Sequence, residues 1–560
     1  MLKKDTLIRG TLILTAAALT ARVLGLFQRV PLDYMLDKEG MIAFTIANQV
    51  YMVLLIIATA GFPSAVSKMV SQRYALGQQA EAKRIFQAAL VFGAVTGLIL
   101  ATALFVFAPA YAKLAKLPSA FLAVRAIAPA LLLFPIIAMM RGYFQGRQLM
   151  SAGGISQIVE QFLRVILGIG LGLIVIALGW GDSWAAAAVT FGTVFGSIGA
   201  FSVMIWFGRK LKKQDQMTKP AYRFNAEAAA ALRHTTAPAQ QSKTSTIKYR
   251  TVYREILAMS LPALLTSMTV NLLYFFDTSF FKRLTERFYT PEMSDAVLAD
   301  YGIKAISLAG IPPILAIALG STIIPVISSA YSVKNMKEVQ RQASLVMRIV
   351  CFTGVPVALL LTVASFSVTG LLFASTSGSD VVALLTAGTI VQITMMTTNS
   401  ILYGMGRPKQ SMNHTLLGLL LKVVISIALA PFMGVYGLIV GSTICFIVIT
   451  YLNVRSINQV VKLSVLGKRW MTYIVSVAVA ALAGWLVETS LLKLTASFPN
   501  KLSYFLGAAM TAVVVGGVYV LLLIVLRVIT PDDIAMFPGK LRKPFQLIMK
   551  PFYRGKGQGS

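Results

Sequence analysis

The sequence predicts an all-α polytopic membrane protein: 14 transmembrane helices forming two six-helix lobes in a parallel pseudo-two-fold repeat, plus two C-terminal helices. Three observations predict it. Of 560 residues, 57% are hydrophobic and only 13% charged, more apolar surface than one water-soluble domain could keep from water. The apolar residues gather in stretches of about 20, the length that crosses the hydrocarbon core as a helix. Finally, Tyr143, Gly146, Arg147 and Ser151 recur 260 residues on as Tyr403, Gly406, Arg407 and Ser411, a repeat that divides the chain in two.

The first six spans fall at about 8–27, 41–63, 85–108, 120–140, 155–178 and 185–207. The first follows Lys3, Lys4 and Arg9 as a signal peptide would, but Arg22 interrupts it and no small-residue cleavage site follows, so it reads as a retained helix. A basic, Ala-, Thr-, Gln- and Ser-rich segment comes next, and the remaining spans fall at about 256–281, 303–330, 349–373, 382–405, 415–432, 436–454, 470–488 and 503–529. The resulting organisation is an N-terminal six-helix lobe at 1–207, a basic, mobile cytoplasmic linker at 208–254 and a C-terminal six-helix lobe at 255–454. Helices 13 and 14 occupy 455–529, and a basic cytoplasmic tail at 530–560 carries Phe537, Phe545 and Phe552 toward the membrane surface. Six helices is an even number, so the halves share one orientation and are related by an axis along the membrane normal.

The net charge of +31 raises nucleic acid as a partner, and the placement of the charges excludes it. Most Lys and Arg lie in alternate inter-span segments, on the same side as the N-terminus, which is the positive-inside pattern. The basic excess therefore sets topology and meets anionic membrane lipids. It makes this a multi-pass cell-membrane protein with both termini cytoplasmic. Cys351 and Cys445 lie in separate apolar spans, form no disulfide or metal pattern and read as small core residues.

Function is carried by charges inside the spans: Arg22, Arg125, Arg164, Lys304 and Lys422 against Glu160 and Asp277. Intramembrane charge is costly and marks substrate paths. Cations outnumber acids, so the economical partner is an anionic ligand, phosphorylated or carboxylated, in a hydrophilic chamber. Arg22 and Arg29 share one helix face two turns apart, and Gln157, Glu160, Gln161 and Arg164 form one polar stripe. Glu160 and Arg164 are also spaced for an i, i+4 ion pair. Asp277 shares a face with Asn271 and Tyr274 and reads either as a counter-ion or as a ligand for a coupling cation. Asn48 and Gln49, with Gln392, Thr397, Thr398 and Asn399, supply neutral hydrogen-bonding groups suited to sugar or peptide, or to interhelical bonds.

The candidate substrate-binding residues are thus Arg22, Arg29, Arg125, Arg164, Lys304, Asn48 and Gln49, with Glu160 and Asp277 as coupling or counter-ion groups. No catalytic or metal motif is present, His234 falls in the linker and His414 at a helix end, and there is no G-x-x-x-x-G-K-[ST] phosphate loop. The chain therefore reads as no enzyme and needs no cofactor. A membrane potential or an ion gradient is the energy source left to it.

Arg22-Val23-Leu24-Gly25, Gly61-Phe62-Pro63-Ser64-Ala65-Val66-Ser67-Lys68, Arg141-Gly142-Tyr143-Phe144-Gln145-Gly146 and the stripe from Gln157 to Arg164 resemble the polysaccharide transporter branch of the multidrug/oligosaccharidyl-lipid/polysaccharide exporter superfamily. Within that branch the chain is most similar to the MurJ-like lipid II flippases of the YtgP type, with the stage V sporulation protein B group very close. The resemblance implies two six-helix lobes around a central cationic cavity, two C-terminal helices beside a groove for a lipid tail, and alternating access. It implies undecaprenyl-diphosphate carrying a disaccharide-pentapeptide (lipid II) as substrate, and the cell-wall synthesis machinery as a partner. Arg22 matches the family's first-helix arginine. Arg29 and Lys304 are shifted from its other cavity cations, and Asn48 and Gln49 stand without the Arg and Asp of proteobacterial members. The competing functions are export of another undecaprenyl-diphosphate glycan (capsular, teichuronic or sporulation-related), drug/cation antiport of the MATE type, and membrane glycosyl transfer. A cavity richer in cations than acids disfavours antiport of cations, and the missing carboxylate cluster disfavours glycosyl transfer.

Overall fold

The computed structural model describes residues 7–59, 61–75, 78–231 and 249–528, and all of its regular elements there are helical. Eleven helices are long and apolar enough to cross a membrane among the described residues. The three other segments read as spans correspond to α1, α8 and α11 as defined below.

By internal contacts the chain forms two compact units, Met1–Ala299 and Asp300–Ser560. The first holds α1 (Leu7–Met35), α2 (Lys38–Thr59), α3 (Phe62–Ala75), α4 (Gln79–Leu114), α5 (Ala120–Gly146), α6 (Met150–Ala177), α7 (Asp182–Ala231), α8 (Tyr249–Leu284) and most of α9 (Pro291–Asp300). The contact boundary falls one span after the repeat boundary because α8 packs on α2, α3 and α4. Tyr111 on α4 stacks on Phe275 and its hydroxyl bonds Ser279 at 2.7 Å, while Lys116 pairs with Glu286 at 2.5 Å.

Two of the sequence motifs are explained by backbone proximity. A Cβ on Gly142 would stand 2.6 Å from the carbonyl oxygen of Pro63, and one on Gly146 would stand 2.7 Å from that of Ser67. The Gly-Tyr-Phe-Gln-Gly and Phe-Pro-Ser-Ala-Val-Ser segments therefore pack against each other, and only glycine fits at these two positions. Gly168 and Gly192 do the same for α6 and α7: a Cβ on Gly192 would lie 2.4 Å from the Cα of Gly168. Small residues that let backbones approach closely are the expected way to associate helices where solvent supplies no hydrophobic drive.

Helix α7 runs unbroken to Ala231, so the first half of the segment read as a mobile linker continues a helix. Its Ala-rich stretch favours this conformation, and Arg147 fastens it by a bidentate bond to Asp215 at 2.6 and 2.7 Å while lying 4.7 Å over the Tyr74 ring. Residues 232–248, with His234, and the tail from 529 onward lie outside the described residues.

The second unit opens with a π-helical turn (Tyr301–Ala305), then α10 (Ile306–Ala309), α11 (Pro313–Ser332), α12 (Met336–Val363), α13 (Ser365–Leu372), α14 (Ser379–Gly404), α15 (Pro408–Met433), α16 (Val435–Asn458), α17 (Trp470–Leu494) and α18 (Asn500–Val525). Its core runs from α11, α12 and α14 to α17 and α18, where the hydroxyls of Tyr473 and Tyr519 both donate to the Cys351 carbonyl, at 2.9 and 3.2 Å. Cys351 and Cys445 are buried and unbridged.

Candidate functional site

Among the described residues, one group of intramembrane charges gathers within the first unit. It is built from the polar stripe of α6 and its neighbours on α1, α2, α5 and α8. Gly25 lets α1 approach that stripe, since a Cβ there would stand 3.0 Å from Nε2 of Gln161.

The stripe divides into two parts with different partners. At the α5 side, Arg141 Nη2 reaches Glu160 Oε2 at 2.7 Å and its Nε donates to Ser156 Oγ at 2.8 Å. Two turns of helix separate Ser156 from Arg164, which is 7% exposed and donates from Nη2 to Asn48 Oδ1 at 2.9 Å. The Arg164 guanidinium lies 4.4 Å from the centre of the Tyr51 ring. The i, i+4 spacing thus does not pair Glu160 with Arg164. An arginine from the adjacent helix reaches the carboxylate first, and the side chain of Arg164 extends to α2.

Among the described residues Arg164 has no acidic partner within ion-pair distance. A second cation, Arg29 on α1, lies within electrostatic range of it and of Tyr274 on α8, and Tyr274 is in turn within range of the fully buried Asp277. Two amide donors add to this interior. Asn48 Nδ2 and Gln28 Nε2 are buried without an acceptor among the described residues, and Gln28 borders α6 at Gly168. Gln49, next to Asn48, is buried as well. The arrangement offers donors and positive charge, with Glu160 consumed by Arg141. Chemically it suits an anion with several acceptor oxygens.

The other sequence candidates lie elsewhere. Arg22 is on α1, but its side chain lies outside the described residues. Arg125 donates to the Phe105 carbonyl at 3.1 Å and its guanidinium sits 4.9 and 5.5 Å from the Phe105 and Phe121 rings, so the structure engages it between α4 and α5 and does not bring it to Arg164. In the second unit Lys304 is 2% exposed and enclosed by oxygen: Asp300 at 2.8 Å, the Ser375 and Ser377 hydroxyls at 2.8 and 2.9 Å, and the carbonyls of the same two serines. Lys422 donates to the Leu438 carbonyl at 2.6 Å. Thr398, Asn399, Ser411, His414 and Asn453 form one buried hydrogen-bonded chain across α14, α15 and α16, an interhelical use of the polar residues on α14. No group of three or more His, Cys, Asp or Glu able to hold a metal ion occurs among the described residues.

Sequence reasoning overlooked Arg141, Tyr51, Ser156 and Gln28. For Arg141 the signal is present in the sequence: the fourth apolar span stops at residue 140, whereas α5 continues to Gly146, which makes Arg141 a sixth cation beside the five within the spans. Tyr51 lies three positions after Asn48 on α2, and that spacing carried the same information.

A family model described as polysaccharide biosynthesis protein matches residues 7–331. The chain is 25% identical over 457 residues to the lipid II flippase MurJ of Bacillus subtilis, covering 79% of this chain and 80% of that protein. It is 24% identical over 541 residues to stage V sporulation protein B of the same organism, covering 96% and 98%. Among solved structures, one of lipid II flippase MurJ in an inward closed conformation superposes with a TM-score of 0.61 at 12% identity, covering 91% of this chain and 98% of that one.

Proposed function

Because the chain belongs to the polysaccharide biosynthesis protein family, we propose that it is a flippase for a lipid-linked glycan, and that its substrate is undecaprenyl-diphosphate carrying the peptidoglycan disaccharide-pentapeptide, lipid II. In this reading it is a YtgP-type flippase of 14 spans with both termini cytoplasmic. It moves lipid II to the outer leaflet by alternating access and hands it to cell-wall synthesis machinery. It is a membrane transporter and not an enzyme. The observation that carries the reading is Arg164, a buried guanidinium held only by Asn48 and the Tyr51 ring among the described residues, with Arg29 in electrostatic range. Two cations beside unengaged amide donors match a diphosphate, whose oxygens accept charge-assisted bonds from both. The neutral Asn48, Gln49 and Gln157 suit the sugar and peptide. With no nucleotide motif on the chain, the membrane potential or an ion gradient resets the cavity. An inside-negative potential acts at about 2.3 kcal/mol per charge per 100 mV and draws the empty cationic cavity toward the cytoplasm.

The alternative substrate, another undecaprenyl-diphosphate glycan such as a sporulation-related one, is favoured by the 96% coverage against stage V sporulation protein B. Depletion of the protein with radiolabelled precursor separates the two readings. Loss of lipid II from the outer leaflet supports the first, and unchanged lipid II with loss of another lipid-linked glycan supports the second.

A further inference from the structure

Within the second unit, α12, α13 and α14 on one side and α17 on the other flank an open cavity of about 690 Å³, a size typical of small-molecule sites. Its lining is mostly apolar and aromatic, including Ala481, Leu482, Phe366 and Trp485, with the hydroxyl residues Thr362, Ser365 and Thr489 and one ionisable group, Glu488. Leu482, Phe366 and Trp485 are also exposed on the surface of a membrane-spanning helix or its neighbour, so the cavity opens toward lipid.

Glu488 is 4% exposed and its Oε1 accepts from the backbone N–H of Ser367 in the first turn of α13, at 3.0 Å. That bond uses one of the several lone-pair positions a carboxylate offers. No Lys, Arg or His stands within ion-pair distance of Glu488 among the described residues. The basic residue at the other end of α13, Lys501, is committed to the carbonyls of Gly370 and Phe373 at 2.8 and 2.6 Å. The cavity thus holds a buried carboxyl group in a membrane-spanning helix, met among the described residues by a backbone N–H at a helix N-terminus and by no cation, beside two aromatic rings.

We propose that this cavity binds an amphiphile with an ammonium headgroup, entering from the lipid phase. The ammonium donates to the Glu488 carboxylate and lies against the Trp485 and Phe366 faces, a cation–π arrangement, while the tail follows Leu482 and Ala481. An isoprenoid or acyl chain without such a head leaves Glu488 uncompensated, which distinguishes the site from a channel for any lipid tail. Two sources present this chemistry, a membrane lipid with a primary-amine headgroup and a free long-chain amine.

The test uses the full-length protein in detergent, titrated with dodecylamine or dodecanol and followed by tryptophan fluorescence. A second arm compares its melting temperature in phosphatidylethanolamine and phosphatidylglycerol nanodiscs. Dodecylamine should bind and dodecanol should bind at least tenfold more weakly. Glu488→Gln should cut dodecylamine affinity at least tenfold while leaving the melting temperature in detergent nearly unchanged, because the amide oxygen still accepts from Ser367. Stabilisation by phosphatidylethanolamine that Glu488→Gln removes identifies the lipid as the source, and amine binding without it identifies the free amine. Equal affinity of wild type and Glu488→Gln, or dodecanol binding as tightly as dodecylamine, overturns the proposal. Should Glu488→Gln not fold, Ala481→Phe fills the cavity with the carboxylate intact, and retained amine binding in that variant overturns it equally.

Discussion

Glu160→Gln separates the two partnerships of α6 by their energies. The change leaves Arg141, whose side chain is 12% exposed, without its acid. Breaking a buried pair from one side costs roughly 3 to 5 kcal/mol. Partial exposure and the remaining Ser156 bond reduce this to about 2 kcal/mol. Replacing Arg141 by Met as well removes the uncompensated charge, so the double variant should recover most of the loss, with a coupling of about 1.5 kcal/mol, inside the range measured for residues in contact. The parallel cycle with Arg164→Met should show a coupling below about 0.5 kcal/mol, the size of an i, i+4 contribution on a helix. Both cycles are read from denaturant unfolding in mixed micelles followed by tryptophan fluorescence. A larger coupling of Glu160 to Arg164 than to Arg141 would refute the reasoning and restore the i, i+4 pair.

Gly192→Ala places a Cβ against the Cα of Gly168 and should prevent normal accumulation of the protein, whereas Gly170→Ala, with open space around it, should be silent; immunoblots of membrane fractions decide. Lys304→Met leaves Asp300 and the two serines facing an apolar side chain with no donor and should cost about 3 kcal/mol, measured as a lowered melting temperature that Lys304→Met/Asp300→Asn partly restores. Asp215→Asn loosens the α7 extension by no more than about 1 kcal/mol, as its side chain is 43% exposed, and should appear as faster proteolysis beyond residue 208 with transport intact. Dissipating the membrane potential at constant ATP should stop flipping quickly, and lowering ATP at constant potential should not; continued flipping without a potential contradicts the proposed energy source.

Helix content, the apolar spans and the sequence motifs were legible in the sequence because each depends on local composition and period. The Gly-Tyr-Phe-Gln-Gly segment stood out as a motif, but its reason, close contact with Pro63 and Ser67, is a property of two helices together. The same limit governed the charges. An intrahelical cation announces itself, and its partner does not. Lys304, Lys422 and Arg125 looked like cavity residues until the oxygen cage, the Leu438 carbonyl and the Phe105 and Phe121 rings supplied local destinations for them. Arg164 is met by neutral groups among the described residues, Asn48 and the Tyr51 ring.

The central claim is that the Arg164 interior carries a lipid diphosphate, and transport in proteoliposomes tests it most directly. Purified wild type and Arg164→Met are reconstituted with lipid II labelled on its headgroup, an inside-negative potential is imposed, and outer-leaflet exposure is followed with a membrane-impermeant probe. Wild type should flip lipid II, and Arg164→Met, at equal insertion and equal melting temperature, should lose at least tenfold of the rate. Arg164→Lys should fall between them, since it keeps the charge without the planar fork. Wild-type rates from Arg164→Met would contradict the account.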